Sequence, residues 1–229
     1  SLRCPRCPRQ EVPGHEQTSL DLTFFTRNFT EEILKDVWQI TFCGDDGDPI
    51  YGKDFLEIVA YLKFHKPNLS LRIVTNGSYK SQDWWRKLAQ ILNQYDDIHF
   101  SLDGWDQKST EQYRVNSNWA SIQDAVKTVR ANSSVIMTWA AIAFKFNESE
   151  LFKAMMTQAK DWGFDYYQIT KSTKFGSRYA HYYNEGVELL EPTNRGLVSA
   201  TDRFERMLFV LSDRHQIDNG KLLLNLDLW

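Results

Sequence analysis

Repeating strand–helix units predict an α/β protein with a parallel sheet, and three features of the chain carry that expectation. Five runs rich in β-branched and aromatic residues occur at 38–43, 71–74, 97–102, 135–144 and 166–170, with amphipathic helical patterns between them. Their starts lie roughly thirty residues apart, the length of a βαβ unit. Each run also breaks off in polar turn residues. Five strands in 229 residues fall short of a closed eight-stranded barrel, which takes about 250 residues. An open or partial (βα) barrel, or a doubly wound sheet, fits instead. No internal self-similarity points to a solenoid.

Taken in order, Cys4-Pro5-Arg6-Cys7-Pro8 opens the chain in a context that forbids regular helix. A polar segment runs to about Gln17, and a helical region follows through Phe29. Thr30 is placed to cap Glu31 to Val37, with two acids complementing the helix dipole in the first turn. The strand Trp38 to Cys43 runs into Gly44-Asp45-Asp46-Gly47-Asp48-Pro49. There glycine supplies unusual φ and aspartate bonds its own backbone. Phe55, Ile58, Val59 and Leu62 recur on one helical face. The second strand, Leu71 to Val74, ends in Thr75-Asn76-Gly77. Ser81 caps a helix carrying Trp84, Leu88, Ile91 and Leu92. The third strand, Asp97 to Leu102, ends in Asp103-Gly104, and Ile122, Ala125, Val126 and Val129 mark the next helix. Val135 to Phe144 is closed by Lys145-Phe146-Asn147. Asn147 and Glu150 form the pattern of a capping box ahead of Leu151, Met155, Ala159 and Trp162, and Gly163 is the stop. Tyr166 to Thr170 is the fifth strand. Leu197, Thr201, Phe204, Leu208 and Leu211 predict a final helix, and an apolar run (Leu222 to Leu226) follows.

A hydrophobic content of 42% with 14% aromatics excludes a disordered chain. A net charge of −3 gives no general attraction to nucleic acid or to an anionic membrane. No apolar run reaches the roughly 18 residues of a membrane helix. Three cysteines, two of them paired, do not make a disulfide framework and suit a cytoplasmic protein with a metal or redox site.

In parallel β/α architectures ligands bind at the carboxyl ends of the strands. Gly44 to Asp48, Thr75 with Asn76, Ser101 with Asp103, Lys145 with Asn147, and Thr170 to Ser172 all fall at such ends. Together they line one mouth, which points to an enzyme. Three carboxylates on one turn repel one another, and a loop that receives a cation would select them. The Cys4-x-x-Cys7 pair alone is compatible with half a zinc site, a redox pair or part of an iron–sulfur site.

The order Cys-x-x-Cys, an acidic glycine–proline loop about forty residues on, Thr-Asn-Gly and then Ser-Leu-Asp-Gly resembles the radical S-adenosylmethionine (AdoMet) enzymes. Over about residues 1–175 the resemblance implies a partial (βα)6 TIM-like barrel with the family's first strand missing. Residues 176–229 would form a C-terminal loop and helical extension. The resemblance matches Cys4 and Cys7 to the second and third cysteines of the family's Cys-x-x-x-Cys-x-x-Cys, the ligands of a [4Fe–4S] cluster. That register puts the first cysteine one residue before Ser1, so a fragment is expected.

It also implies that Gly47, Asp48 and Pro49 stand for the Gly-Gly-Glu-Pro loop that holds the AdoMet ammonium. Aspartate replaces the glutamate there. Thr75 and Asn76, Ser101 and Asp103, and Asn147 match further AdoMet-contacting positions. Arg114 matches the arginine that pairs with the methionine carboxylate. The implied activity is reductive cleavage of S-adenosyl-L-methionine to a 5′-deoxyadenosyl radical, with an external electron donor. The radical would abstract hydrogen from a small-molecule or peptide substrate. The loop 171–191, with Lys171, Lys174, Arg178, Tyr179, Tyr182 and Tyr183, is the expected place for substrate contacts. A non-catalytic β/α binding module with a degenerate iron–sulfur site is the rival expectation.

Overall fold

The five expected strands form and lie side by side in chain order. The computed structural model describes residues 2–7, 19–44, 47–172, 174–175, 191–192, 200–203 and 222–227. Strands β1 (Val37–Cys43), β2 (Ser70–Thr75), β3 (Asp97–Ser101), β4 (Ile136–Ala143) and β5 (Tyr166–Lys171) pair in parallel with their neighbours. Two further strands, β6 (Ala200–Arg203) and β7 (Leu222–Asp227), extend the sheet to seven in the order β6-β5-β4-β3-β2-β1-β7. β6 runs antiparallel to β5, and β7 runs parallel to β1, from Val37↔Leu222 to Cys43↔Asp227. The chain therefore folds as an α/β partial barrel.

Thr201, expected in a final helix, lies in β6 instead. An open strand edge supplies backbone partners that a local pattern of apolar residues cannot reveal, and such pairing overrides local propensity. The other residues of that expected helix (Leu197, Phe204, Leu208, Leu211) lie outside the described residues. The run Leu222 to Leu226 forms β7, as a near-continuous apolar segment does in a parallel sheet. It covers the edge of β1 that faces away from β2.

Helices α1 (Leu22–Asn28) and α2 (Glu31–Asp36) lead into β1, and between strands the chain returns through α3 (Phe55–His65), α4 (Gln82–Ile91), α5 (Gln107–Thr110), α6 (Trp119–Asn132) and α7 (Met156–Asp161). The expected caps form at Thr30 and Ser81, whose side chains accept from the Ile33 and Trp84 amides. Helices α1, α3, α4 and α6 pack as successive neighbours in one layer. Between them and the sheet lies the core, with Ile40, Phe42, Ile73, Ile98, Phe100 and Trp139 from the strands facing Leu62, Trp85, Leu88 and Val126 from the helices. Each such side chain contributes roughly 1.5–3 kcal/mol on leaving water.

The strand starts are tied down by buried ion pairs. Lys63 of α3 meets Asp96 at 3.0 Å, and Arg130 of α6 meets Asp165 at 2.7 Å. The same carboxylates accept the Leu71 and Met137 amides. That end of the sheet is a structural foundation, which leaves the opposite end for a site.

The capping box expected from Asn147 and Glu150 does not form. A π-helical turn, Leu151–Met155, leads into α7 without a side-chain cap. The Asn147 amide is drawn into the strand ends instead.

Candidate functional site

At the carboxyl end of β1 the chain turns through Gly47 and Asp48 into a single 3-10 turn, Pro49–Tyr51. Proline suits the first position, where its missing N–H leaves no helical bond unmade. Asp48 caps that turn, its Oδ1 accepting from the Ile50 amide at 3.3 Å. Its Oδ2 accepts from the Thr75 hydroxyl at 3.0 Å, the Asn76 amide at 2.6 Å and the Asn76 side chain at 2.5 Å. Asp48 thus joins the end of β1 to the end of β2. Burial pushes its pKa up to about 6 against the opposing pull of those donors. Asn76 is itself fixed, accepting the Ser78 amide at 2.9 Å. Gly77, at φ 75°, makes the turn that follows. A Cβ there would press on the Phe100 ring at 3.0 Å.

At the end of β3, Asp103 is fully buried and forms an ion pair with Arg114 Nε at 2.6 Å. Its Oδ1 accepts the Ile142 amide at 2.6 Å. Burial raises the Asp103 carboxyl, and Arg114 opposes that rise. For Arg114, burial is outweighed by Asp103, Cys4 and Tyr113, which together hold its pKa above the ordinary value. Asn147, also fully buried, donates to the Asp103 and Ile142 carbonyls at 2.8 and 2.9 Å and accepts the Phe144 amide at 2.8 Å. Its side-chain hydrogen bonds are all spent on backbone, so its place in the site is to hold the β3 and β4 ends together. Ser101 stands half-buried as the last residue of β3.

The cysteine loop packs against this corner. Cys7 N donates to Cys4 O at 3.2 Å, and Arg3 N donates to Val115 O at 3.0 Å, next to Arg114. Leu2, Cys4, Tyr113 and Phe144 form a second apolar cluster, with Cys7, Phe146 and Phe175 against it. Tyr113 and Phe144 lie 4.6 Å apart between ring centres. Arg6 is buried, donates to the Lys174 carbonyl and lies 3.8 Å over the Phe175 ring. The sequence order Cys4-x-x-Cys7, Gly47-Asp48-Pro49, Thr75-Asn76, Ser101-x-Asp103, Arg114 and Asn147 is thus gathered around one mouth.

Two thiols in an apolar sheath, beside a buried arginine, match the surroundings of a metal–sulfur centre, where ligands must be deprotonated. Cys4 and Cys7 are the two thiols of this corner with the chemistry to ligate such a centre. Among the described residues no group of three or more His, Cys, Asp or Glu side chains is placed to hold a metal ion. Cys43 stands half-buried at the end of β1. Of the loop 171–191, Lys171, Ser172, Lys174, Phe175 and Glu191 are described, and Arg178, Tyr179, Tyr182 and Tyr183 are not.

Three features of the mouth and the sheet below it escaped the sequence reading. Tyr51 donates to the Ser78 carbonyl at 2.5 Å, and burial pushes its pKa up to about 12. Lys80 lies 5.0 Å from both the Tyr51 and Trp84 ring centres, and burial lowers its pKa. Arg72, Asp97 and His99 also associate. The period-two series Asp97, His99, Ser101 within a strand was the available signal for them.

No protein-family profile and no curated protein matches the sequence. Among solved structures, Streptococcus suis SuiB bound to its precursor peptide SuiA aligns with 76% of this chain and 37% of that one, at 14% identity and TM-score 0.60. SuiB bound to S-adenosylmethionine aligns over 98% of this chain and 44% of that one, at 13% identity and TM-score 0.58. TYW1 with a lysine–pyruvate adduct bound aligns over 77% and 62%, at 13% identity and TM-score 0.53. The chain spans less than half the length of SuiB and less than two thirds of TYW1. Strand order, parallel pairing and this likeness together give the chain the α/β partial-barrel fold that these structures share.

Proposed function

We propose that the chain is a radical AdoMet enzyme, with residues 1–175 as its core and 176–229 as a C-terminal extension of the same unit. The observation that carries the reading is the convergence of Cys4 and Cys7, the Asp48–Thr75–Asn76 cluster and the Asp103–Arg114 pair at one mouth.

In this reading Cys4 and Cys7, inside the sheath of Tyr113, Phe144 and Phe175, would contribute thiolates to a [4Fe–4S] cluster. Such a cluster, reduced by an external donor, would supply the electron for reductive cleavage of AdoMet to a 5′-deoxyadenosyl radical that abstracts hydrogen from the substrate.

The chain's own residues bind and orient. Arg114 is pinned through Nε by Asp103, which leaves its two Nη groups to pair with the methionine carboxylate in the fork geometry guanidinium favours. Asp48 gives the ammonium a carboxylate, and Gly47 lets the backbone come close. Oδ2 of Asp48 accepts from Thr75 and twice from Asn76, while Oδ1 accepts only the long bond from the Ile50 amide, so Oδ1 has the capacity left for the ammonium. Ser101 offers a hydroxyl toward the sugar, and Asn147 sets the loop that carries Asp103. Binding of a cation beside Asp48 favours its ionised form, so AdoMet should bind more tightly as pH rises through about 6.

The substrate is a small molecule or a peptide. The peptide-bound state of SuiB makes a peptide the first class to try. No helix among the described residues is long and apolar enough to cross a membrane, and a cytoplasmic setting would keep the thiols reduced.

The test is anaerobic reconstitution with iron and sulfide, using the chain as it stands and with one added N-terminal cysteine. Reduction and incubation with AdoMet should give 5′-deoxyadenosine. Cluster absorption should be stronger in the extended chain. Absence of both product and absorption in the extended chain refutes the proposal and leaves the non-catalytic binding module. Asp48→Ala should weaken AdoMet binding roughly tenfold to a hundredfold, the scale of a sheltered charge-assisted contact, with cluster absorption retained.

A further inference from the structure

The residues of β1 to β4 that do not enter the core alternate onto the other face of the sheet. A parallel sheet with both faces buried reads as continuous apolar strands. This one reads as an apolar face against the helices and, over β1 to β3, a mostly polar face opposite (Gln39, Thr41, Ser70, Arg72, Asp97, His99, Ser101). Gln39 and Ser70 bond across β1 and β2 at 3.0 Å. Next to them lies a group built around Asp97. Its Oδ2 accepts Arg72 Nε at 3.1 Å and lies 2.9 Å from His99 Nε2, and its Oδ1 accepts the Thr138 hydroxyl at 3.3 Å.

Asp97 is 5% exposed and is braced from both neighbouring strands. The Arg72 side chain is 38% exposed, although it sits in an interior strand. Among the described residues only Asp97 meets the Arg72 guanidinium, through Nε, so both Nη groups remain to donate. The His99 ring, 15% exposed, is held by Nε2 and keeps Nδ1 for another partner. Arg72 and Asp97 stand at the same register level. His99 lies one inward-facing position, about 7 Å, below Ser101 at the mouth. A charge pair serving stability alone would need neither the open fork nor an imidazole turned to the same carboxylate.

We propose that Arg72, with His99 beside it and Asp97 fixing both, forms a subsite that receives a carboxylate group of the substrate. This rests on the reading that the reacting part of the substrate lies at the mouth above. The Nη fork takes the two carboxylate oxygens side by side, the geometry in which arginine recognises that group. Arg72 and Asp97 cancel in net charge, so recognition is carried by directed N–H donors. The substrate class is therefore a carboxylic acid, or a peptide with an acidic side chain or free C-terminus, whose reacting carbon lies several bonds from that group.

The probe is succinate, with succinamide as its uncharged counterpart, added to the 229-residue chain without cluster or AdoMet. The His99 imidazole resonances, assigned by difference from His99→Gln, report occupancy. Succinate should shift them saturably, Arg72→Gln should weaken that response at least tenfold, and succinamide should produce none. Equal shifts with succinate and succinamide, or an undiminished response in Arg72→Gln, overturn the proposal. If Arg72→Gln does not fold, the comparison of the two probes on the unaltered chain decides.

AdoMet binding to the reconstituted protein is read separately. AdoMet binding with no succinate response overturns the subsite alone. A succinate response with no AdoMet binding overturns the AdoMet reading and leaves an anion site in the sheet.

Discussion

At the scale of single residues, Asp48 is held between opposing demands. Three donors on one oxygen favour the carboxylate, while burial disfavours it, and burial wins to bring the pKa up to about 6 from 3.8. Between those values the folded chain holds a proton that the unfolded chain releases. That contribution to stability is fully present below about pH 4 and is lost as pH rises through about 6, by up to about 3 kcal/mol. Urea unfolding of the wild type against Asp48→Asn should show the wild type losing ground over that window. A pH-independent difference would show that the carboxyl does not titrate there. Asn147→Ala removes a fully buried amide that makes three hydrogen bonds to backbone. It should cost about 2–4 kcal/mol of unfolding free energy and loosen the Asp103 loop.

Most of these side chains were legible in the sequence because their types recur in a fixed order at strand ends. What they touch was not legible. Nothing local says that Asp48 reaches Asn76, or that Asn147 serves strand carbonyls in place of a helix cap, because both partners arrive through the sheet.

Among elements, the connection from β3 to α5 is the one the site leans on most. Asp106 and Ser109 form a reciprocal capping box on the one-turn α5, with Ser109 N to Asp106 Oδ1 at 2.7 Å. A Cβ on Gly104 would run into the Thr110 amide and the Ser109 backbone. Gly104→Ala should therefore displace α5 and the Arg114 that follows it, with AdoMet affinity falling more than tenfold. Calorimetric titration would measure this, and an unchanged affinity would free the loop of that role. Helices α3, α4 and α6 were predictable because a 3.6-residue apolar period persists through each. β6 was not, since four residues on a sheet edge are specified by the exposed backbone of β5, a property of the fold and not of those residues.

For the whole molecule, the division of labour follows strand polarity. Buried ion pairs anchor the strand starts, and the chemistry-bearing side chains collect at the strand ends. The parallel α/β class was readable from the spacing of its units. The seventh strand was not, because a sheet neighbour about 180 residues away leaves no trace in local pattern. Removing residues 222–229 should bare the β1 edge, lower the melting temperature and promote self-association, seen as a larger mass in light scattering. A monomer of unchanged melting temperature would show that β7 adds little.

The same pairing has a consequence for how the protein is made. β1 reaches its full set of neighbours only after β7 is synthesised, about 180 residues after Cys43. At 5–20 residues per second that leaves the strand half-paired for roughly 10–40 seconds. Closing so long a loop adds little to the equilibrium cost, since that cost grows only with the logarithm of length. The delay weighs on kinetics instead. Over that interval the nascent chain carries an uncovered apolar strand edge, so newly made protein should depend on chaperones far more than refolded protein does.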